Sequence, residues 1–367
     1  MINDHSNGTS SSIHGSTRVN TLVSEKHERS IKPDSSRSPL EAVAISPVTL
    51  ADEPGDTTLP VTFSVLVLMC TYNGQSFLEK QLESIKHQTF TDWHVAISDD
   101  GSSDATWSIA NRYRYLWGED KVSLWRGPCR GFASNFIANV CNKALAADFY
   151  AWCDQDDVWE DDKLQVAVSW LQKIPPDVPA LYFGRTELMS QNGEALGYSP
   201  LFRRPPSFAN ALVQNIGGGN TMVLNHAARM LLGEAGEQQD VVSHDWWAYL
   251  LITGVGGNVF YDPTPHVHYR QHGGNLVGSN CGWAARTTRI RMLFQGRFRH
   301  WNAVNIAGLE KIRHRLTDEN RQTLDEFKAL RSRRFAGRLL GLKRSGVYRQ
   351  TLLGNLGLLL AALINGV

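Results

Sequence analysis

The chain has little cysteine, and what it has is scattered. Cys70, Cys129, Cys141, Cys153 and Cys281 are the five in 367 residues, with no CxxC spacing among them. That pattern argues against a zinc ribbon or a disulfide scaffold and reads as reduced, mostly buried thiols in a cytosolic protein. Long apolar runs are missing too. The longest, "LGLLLAALI" from Leu356 to Ile364, falls well short of the roughly 20 residues a bilayer-spanning helix needs. The opening "MINDHSNGTS" lacks a charged region leading into an apolar stretch, so no secretory signal is expected. An overall excess of either charge is also absent, with 37 Lys and Arg against 36 Asp and Glu. That balance conceals a split. Residues 283–367 hold 17 basic and 5 acidic side chains, a net of +12, while residues 1–282 carry −11. An acidic body and a basic end that meets something anionic are expected.

Residues 1–60 are rich in Ser, Thr, Pro and Asp, show no sustained period and are expected to be disordered. From Val61 strands and helices alternate. Strands are expected at 64–70, 93–98, 122–125, 149–153, 180–183 and 222–224, with helical spacing between the early ones. Such alternation implies a largely parallel sheet covered by helices. A helix is expected after Asp161, a short apolar helix over 245–253, and strand, turn and strand over 259–269. Beyond Trp283 the pattern is helical and basic.

Three strands end in polar clusters: Thr71-Tyr72-Asn73-Gly74, "SDDGSSD" at 98–104 and "CDQDDVW" at 153–159. In an open α/β sheet ligands bind beyond the carboxyl ends of strands, so the three are expected to converge on one rim. Asp154, Asp156 and Asp157 place three carboxylates within four residues, costly unless solvent or a cation relieves the repulsion. A hard divalent cation shared with substrate phosphates would do so; a solvated turn capping the next helix is the plainer alternative. In "DDGSSD", Gly101 suits a turn and Ser103 or Asp104 a cap. Asp99 is left with no structural task, and a carboxylate there could accept the imide N–H of a uracil or thymine. Asp245 suits the start of a helix.

These segments, with "RGFASNF", "GGGNTMVLN", "HDWW" and "YRQHGGNLVG", occur in the order seen in family 2 glycosyltransferases. The chain resembles the rhamnosyltransferase-like branch over roughly residues 64–279. The resemblance implies a GT-A-type, Rossmann-like, mostly parallel sheet flanked by helices over 61–282, with a helical C-terminal extension. It places Thr71, Tyr72, Asn73, Asp99 and Asp100 beside the nucleotide, and Arg130, Gly131 and Asn135 along nucleotide and sugar. Asp154 and Asp156 become the D-x-D pair on Mg²⁺ or Mn²⁺, with His272 joining the metal. Arg270 and Gln271 would reach the diphosphate. Asp245 matches the catalytic base, although His244 stands where Glu is usual. Gly218, Gly219 and Asn220 would line the acceptor cleft with Trp246, while core packing is the alternative for the tryptophans.

The expected reaction is inverting transfer of rhamnose or a hexose from a dTDP- or UDP-sugar to a glycan or lipid-linked hydroxyl. A nucleotidyltransferase should carry a basic, Gly-rich loop after its first strand, whereas Gly74 stands alone and the next basic residue is Lys80. A glycan-binding module would be free to lose Asp156 or Asp245. For the basic end, peripheral attachment to the cytoplasmic face of the inner membrane is expected, with a solvated helical cap as the alternative. No nucleic-acid recognition motif is present.

Overall fold

A computed structural model of the chain describes residues 64–238, 240–273, 297–364 and 366–367. The expected disorder of residues 1–60, Cys281 and the basic residues of 283–296 lie outside the described residues.

The apolar run at 65–70 forms strand β1 (Val65–Thr71), buried along its whole length. Because successive strand side chains point to opposite faces, Val65, Val67 and Met69 enter one core, and Leu66, Leu68 and Cys70 the other. A strand buried on both faces must be central. It pairs in parallel with β2 (Trp93–Asp99) on one side and β4 (Phe149–Asp154) on the other, while β3 (Val122–Arg126) extends the β2 side. Beyond β4 come β9 (Val223–Asn225), β6 (Ala180–Gly184) and β10 (Asn258–Asp262), completing a seven-stranded sheet in the order β10-β6-β9-β4-β1-β2-β3. Only β9 runs against its neighbours. Alternation in the sequence could announce parallel strands but not this reversal, which depends on where β9 inserts.

Helices α1 (Leu78–Lys86), α2 (Thr106–Trp117) and α4 (Lys163–Leu171) bury their apolar sides against one face. The other face carries α3 (Phe132–Cys141), α5 (Phe208–Ala211), α6 (His226–Ala235) and α7 (His244–Gly254). A second, four-stranded sheet joins β5 (Val158–Trp159), β11 (Val267–Gln271), β7 (Glu187–Ser190) and β8 (Ala195–Tyr198). Its β7–β8 hairpin was not expected from the sequence, which lacks a sustained apolar alternation there. The second sheet matters for the site because β11 carries 270–271 back over the end of β4.

The C-terminal helices are α8 (Arg297–Lys311), α9 (Asp318–Ser332), α10 (Phe335–Ser345) and α11 (Leu352–Leu363). Leu309, Leu324, Phe327, Leu330, Leu358 and Ala361 join the same core as α7. Asn320 ties α9 to the end of α7 by donating to the carbonyls of Thr253 and Gly254 at 3.0 and 2.9 Å. Among the described residues no helix is long and apolar enough to cross a membrane. Cys70, Cys129, Cys141 and Cys153 are free thiols; Cys129 is exposed, the others buried or partly so.

Candidate active site

The ends of β1, β2 and β4 are laced together by side chains. Gln155 clamps the turn after β1, its Oε1 accepting from Tyr72 N–H and its Nε2 donating to Tyr72 C=O, both at 2.8 Å. Asn73, at φ 49°, accepts at Oδ1 from Ser103 N–H at 2.9 Å, and its own N–H donates to Ser102 Oγ at 2.9 Å. A Cβ at Gly74 would lie 2.1 Å from Gln155 Oε1, so a side chain there would have to displace the Gln155 clamp. The polar residues that halt the first strand therefore build a rim. The expected convergence of the three strand ends is present.

Asp99 corrects one expectation. Fully buried, it accepts from Thr71 Oγ1 at 3.0 Å, Ser102 N–H at 3.0 Å, Ser102 Oγ at 2.6 Å and Arg126 Nη1 at 2.5 Å. A carboxylate has about four lone-pair sites, so Asp99 has a full structural task. A base N–H would have to displace one of these donors. Asp100 holds the next loop, accepting from Cys129 N–H at 2.7 Å and Gly131 N–H at 2.8 Å. Gly131 takes φ 89°, a left-handed conformation that suits glycine. Arg130 reaches outward to Glu237 at 3.2 Å. Asn135, placed by the resemblance along the ligand, is instead buried and bonded to Ser98, accepting from its Oγ at 2.6 Å and donating to its C=O at 3.0 Å.

Beyond β4 the carboxylates part company. Asp157 is buried and takes Asn220 Nδ2 at 2.6 Å and Arg270 N–H at 3.1 Å. Asp156 is partly exposed, and His272 Nε2 lies 2.7 Å from its Oδ2. Of the three nearby histidines only this one meets the D-x-D pair: His266 faces Asp162 at 2.7 Å and His268 faces Glu160 at 2.6 Å. Arg270 is buried, donating from Nε to Asp156 C=O at 2.8 Å and from Nη1 to Gln191 C=O at 3.0 Å. It fastens β11 over the rim, so its expected place on a diphosphate is corrected. Gln271, next to it on β11, is half-buried.

Asp245 lies in the first turn of α7, its Oδ1 accepting from Trp246 N–H at 2.7 Å. It is close enough to Asp154 for their charges to interact. Loss of solvation first, then the carboxylates of Asp156 and Asp245, push the Asp154 carboxyl up to about 8. Burial first, then the carboxylates of Asp156 and Asp154, raise Asp157 as well, against the hydrogen bonds from Asn220 and Arg270. Asp154 thus feels both its neighbour Asp156 and Asp245, 91 residues on in the sequence, and a cation would relieve that repulsion. Among the described residues no three His, Cys, Asp or Glu side chains form a ready metal shell.

Three more residues bear on the site, and of these the sequence singled out only His244, as a departure from the usual Glu. Gln155 is one, and Lys163 another. Buried over the Trp159 ring at 3.2 Å, Lys163 has its ammonium pushed down to about 7 by burial, against the pull of Cys153, Asp157 and Asp154. Its position as an ordinary first-turn lysine gave no signal. The third is His244. It stacks on Phe136 with ring centroids 4.0 Å apart and meets Trp152 edge-on at 4.7 Å. Neither ring nitrogen has a hydrogen-bond partner among the described residues, and burial pushes its pKa down to about 4.

Gly219 explains part of the acceptor-side loop. A Cβ at that position would lie 2.2 Å from His244 Nε2, so the 3₁₀ turn Gly219–Thr221 packs directly on the imidazole. Gly218 precedes that turn, and Asn220 spends its amide on Asp157. Trp246 is 6% exposed, donates from Nε1 to Ala211 C=O at 2.7 Å and meets Trp301 edge-on. It belongs to the core, not to an open sugar platform, which corrects its expected place.

A mostly parallel sheet with one reversed strand carries a carboxylate rim at its strand ends and an acid at the start of α7, the arrangement expected of a GT-A-type domain. Residues 66–226 match the model of Glycosyl transferase family 2. Over that segment the chain resembles family 2 glycosyltransferases, and it is rhamnosyltransferase-like in sequence. Over 240 residues it is 26% identical to the dTDP-rhamnosyl transferase RfbG of Shigella flexneri, a match covering 61% of this chain and 78% of that protein. Over 131 residues it is 25% identical to the UDP-Glc:alpha-D-GlcNAc-diphosphoundecaprenol beta-1,3-glucosyltransferase WfgD of Escherichia coli, covering 35% of this chain and 48% of that protein. The solved structure of S. aureus TarS 1–349 with UDP-GlcNAc aligns at a TM-score of 0.48 and 13% identity, over 78% of this chain and 93% of that one.

Proposed function

We propose that the chain transfers rhamnose or a hexose, with inversion, from a thymidine or uridine diphosphate sugar to a hydroxyl of a cell-surface glycan or lipid-linked acceptor. The observation that carries this reading is that the buried Asp154 carboxyl at the end of β4 lies within electrostatic reach of both Asp156 and Asp245. The similarity to RfbG, a dTDP-rhamnosyl transferase, and to WfgD, which takes UDP-Glc and a diphosphoundecaprenol-linked acceptor, supports the donor and acceptor classes.

Asp245 serves as the base. Its Oδ1 is fixed by the N–H of Trp246, which orients the carboxylate so that Oδ2 takes the acceptor proton as the hydroxyl attacks the anomeric carbon. The rim formed by Tyr72, Gln155, Asn73 and the loop held by Asp100 supplies the donor's seat. Asp156 and His272, with Asp154, would hold Mg²⁺ or Mn²⁺, a small oxygen-seeking ion commonly bound by one or two carboxylates plus substrate phosphates. When bound, such an ion neutralises charge on the leaving diphosphate.

The basic C-terminal region supports a place on the cytoplasmic face of the inner membrane, beside a lipid-linked acceptor. Donor hydrolysis and transfer, measured with and without EDTA, test the enzymatic reading. Loss of both in EDTA and recovery with Mn²⁺ are expected. Nucleotidyl transfer, or binding of glycan with no turnover, would overturn it.

A further inference from the structure

The last helix, α11, divides cleanly by burial but not by chemistry. Leu358, Ala361 and Ala362 face the core, while Leu352, Leu353, Leu356, Leu359 and Leu360 face solvent, with Leu352 77% exposed. With Ile364 just past the helix end, positions 352, 356, 360 and 364 form one stripe at four-residue spacing. A surface helix ordinarily turns charged or polar residues outward. Here no charged residue occurs from position 350 to position 367. An exposed apolar face of this kind, rimmed by polar residues, marks an interaction surface.

The surroundings indicate the partner's charge. Helix α10 packs against α11, with Arg338 Nη1 donating to Leu363 C=O at 3.2 Å, and it exposes Leu339 and Leu340 as well. Lys343 and Arg344 are exposed at the end of α10, and Arg349 lies just before α11, where its N–H donates to Asn355 Oδ1 at 2.9 Å. After Glu326 the chain contains no Asp or Glu. A leucine face in a stretch whose only charged side chains are cations suits an anionic bilayer, which offers acyl chains and phosphates together. Twelve residues make a helix about 18 Å long, against a hydrocarbon core of about 30 Å. Such a helix lies flat.

We propose that the outward face of α11 sits in the headgroup–acyl boundary of an anionic membrane, with Lys343 and Arg344 over lipid phosphates. This rests on the reading that the enzyme works at the membrane and names the surface that touches it. The buried side of the same helix fixes the catalytic domain's orientation, because Leu358 and Ala361 share a core with α7, which carries Asp245.

The full-length chain is sedimented with vesicles of phosphatidylcholine alone or mixed with phosphatidylglycerol. Binding to the mixed vesicles, weakened by salt, is expected for the native chain. The triple variant Leu353→Ser, Leu356→Ser, Leu360→Ser should bind them at least about tenfold more weakly, with affinity for nucleoside diphosphate unchanged. Native-like vesicle binding by the triple variant would overturn the α11 assignment while leaving the membrane reading intact. Failure of the native chain to bind, with sugar transfer to a soluble acceptor preserved, would remove both membrane readings and leave the enzymatic one standing. A native dimer that the triple variant dissolves would make a second copy the occupant and overturn the proposal.

Discussion

Replacing His244 with glutamine should flatten the acid limb of the protein's stability profile. An imidazole of ordinary pKa 6.5 is held at about 4 in the folded chain because burial among Phe136, Trp152 and Gly219 removes solvent from both nitrogens; the Asp245 carboxylate opposes this only in part. The folded value is depressed, so below pH 6.5 the unfolded chain takes up a proton that the folded chain refuses. Stability is therefore lost as pH falls from 6.5 towards 4, and no further loss from this group follows below that. Between about pH 7 and about pH 4.5 the linkage amounts to about 2 kcal/mol. Glutamine cannot titrate. Whatever its packing costs at this site, that cost is nearly the same at both pH values, so the difference between them isolates the proton. Urea unfolding of native and His244→Gln chains, followed by tryptophan fluorescence at the two pH values, measures it. The native chain should lose about 2 kcal/mol more than the variant. Parallel losses would refute the claim that the fold holds this imidazole neutral.

Asp245→Asn should lower transfer by roughly 10²-fold or more while donor affinity stays near native, the usual consequence of losing a general base; calorimetric titration with nucleoside diphosphate beside rate measurements checks the split. A parallel loss of affinity would make Asp245 a donor contact instead. Asp156→Asn should abolish most activity and the Mn²⁺-dependent part of donor binding, with thermal stability kept or raised because carboxylate repulsion is relieved; native-like transfer by this variant would sink the metal assignment. Gly219→Ala should destabilise by about 1–3 kcal/mol, the scale of overpacking, since the new methyl overlaps an imidazole that is stacked in place. An unchanged melting temperature would show that the loop can move aside.

The composition and periodicity of the chain were sufficient for the layered fold and for the rim. A strand such as 65–71 that is apolar on both faces can only be central in a covered sheet. Polar residues that stop such a strand must then lie at its end, whatever the rest of the chain does. The positions of Asp154, Asp156 and Asp245 followed from these rules together with the motif order. What each polar residue touches did not follow, because hydrogen-bond partners come from segments distant in sequence. Asp99 looked free and proved saturated by Thr71, Ser102 and Arg126; Arg270 looked poised for phosphate and proved to pin β11 through backbone carbonyls. Trp246 could have faced a sugar or the core, and the packing of α8 against α7, with Trp301 at its edge, decided for the core. The leucines of α11 carry the same ambiguity: twelve nearly uniform apolar residues hold no information about which side is buried. Only docking of the helix on the α7 face separated Leu358 from Leu356, since burial is a property of the assembled core and not of the local sequence.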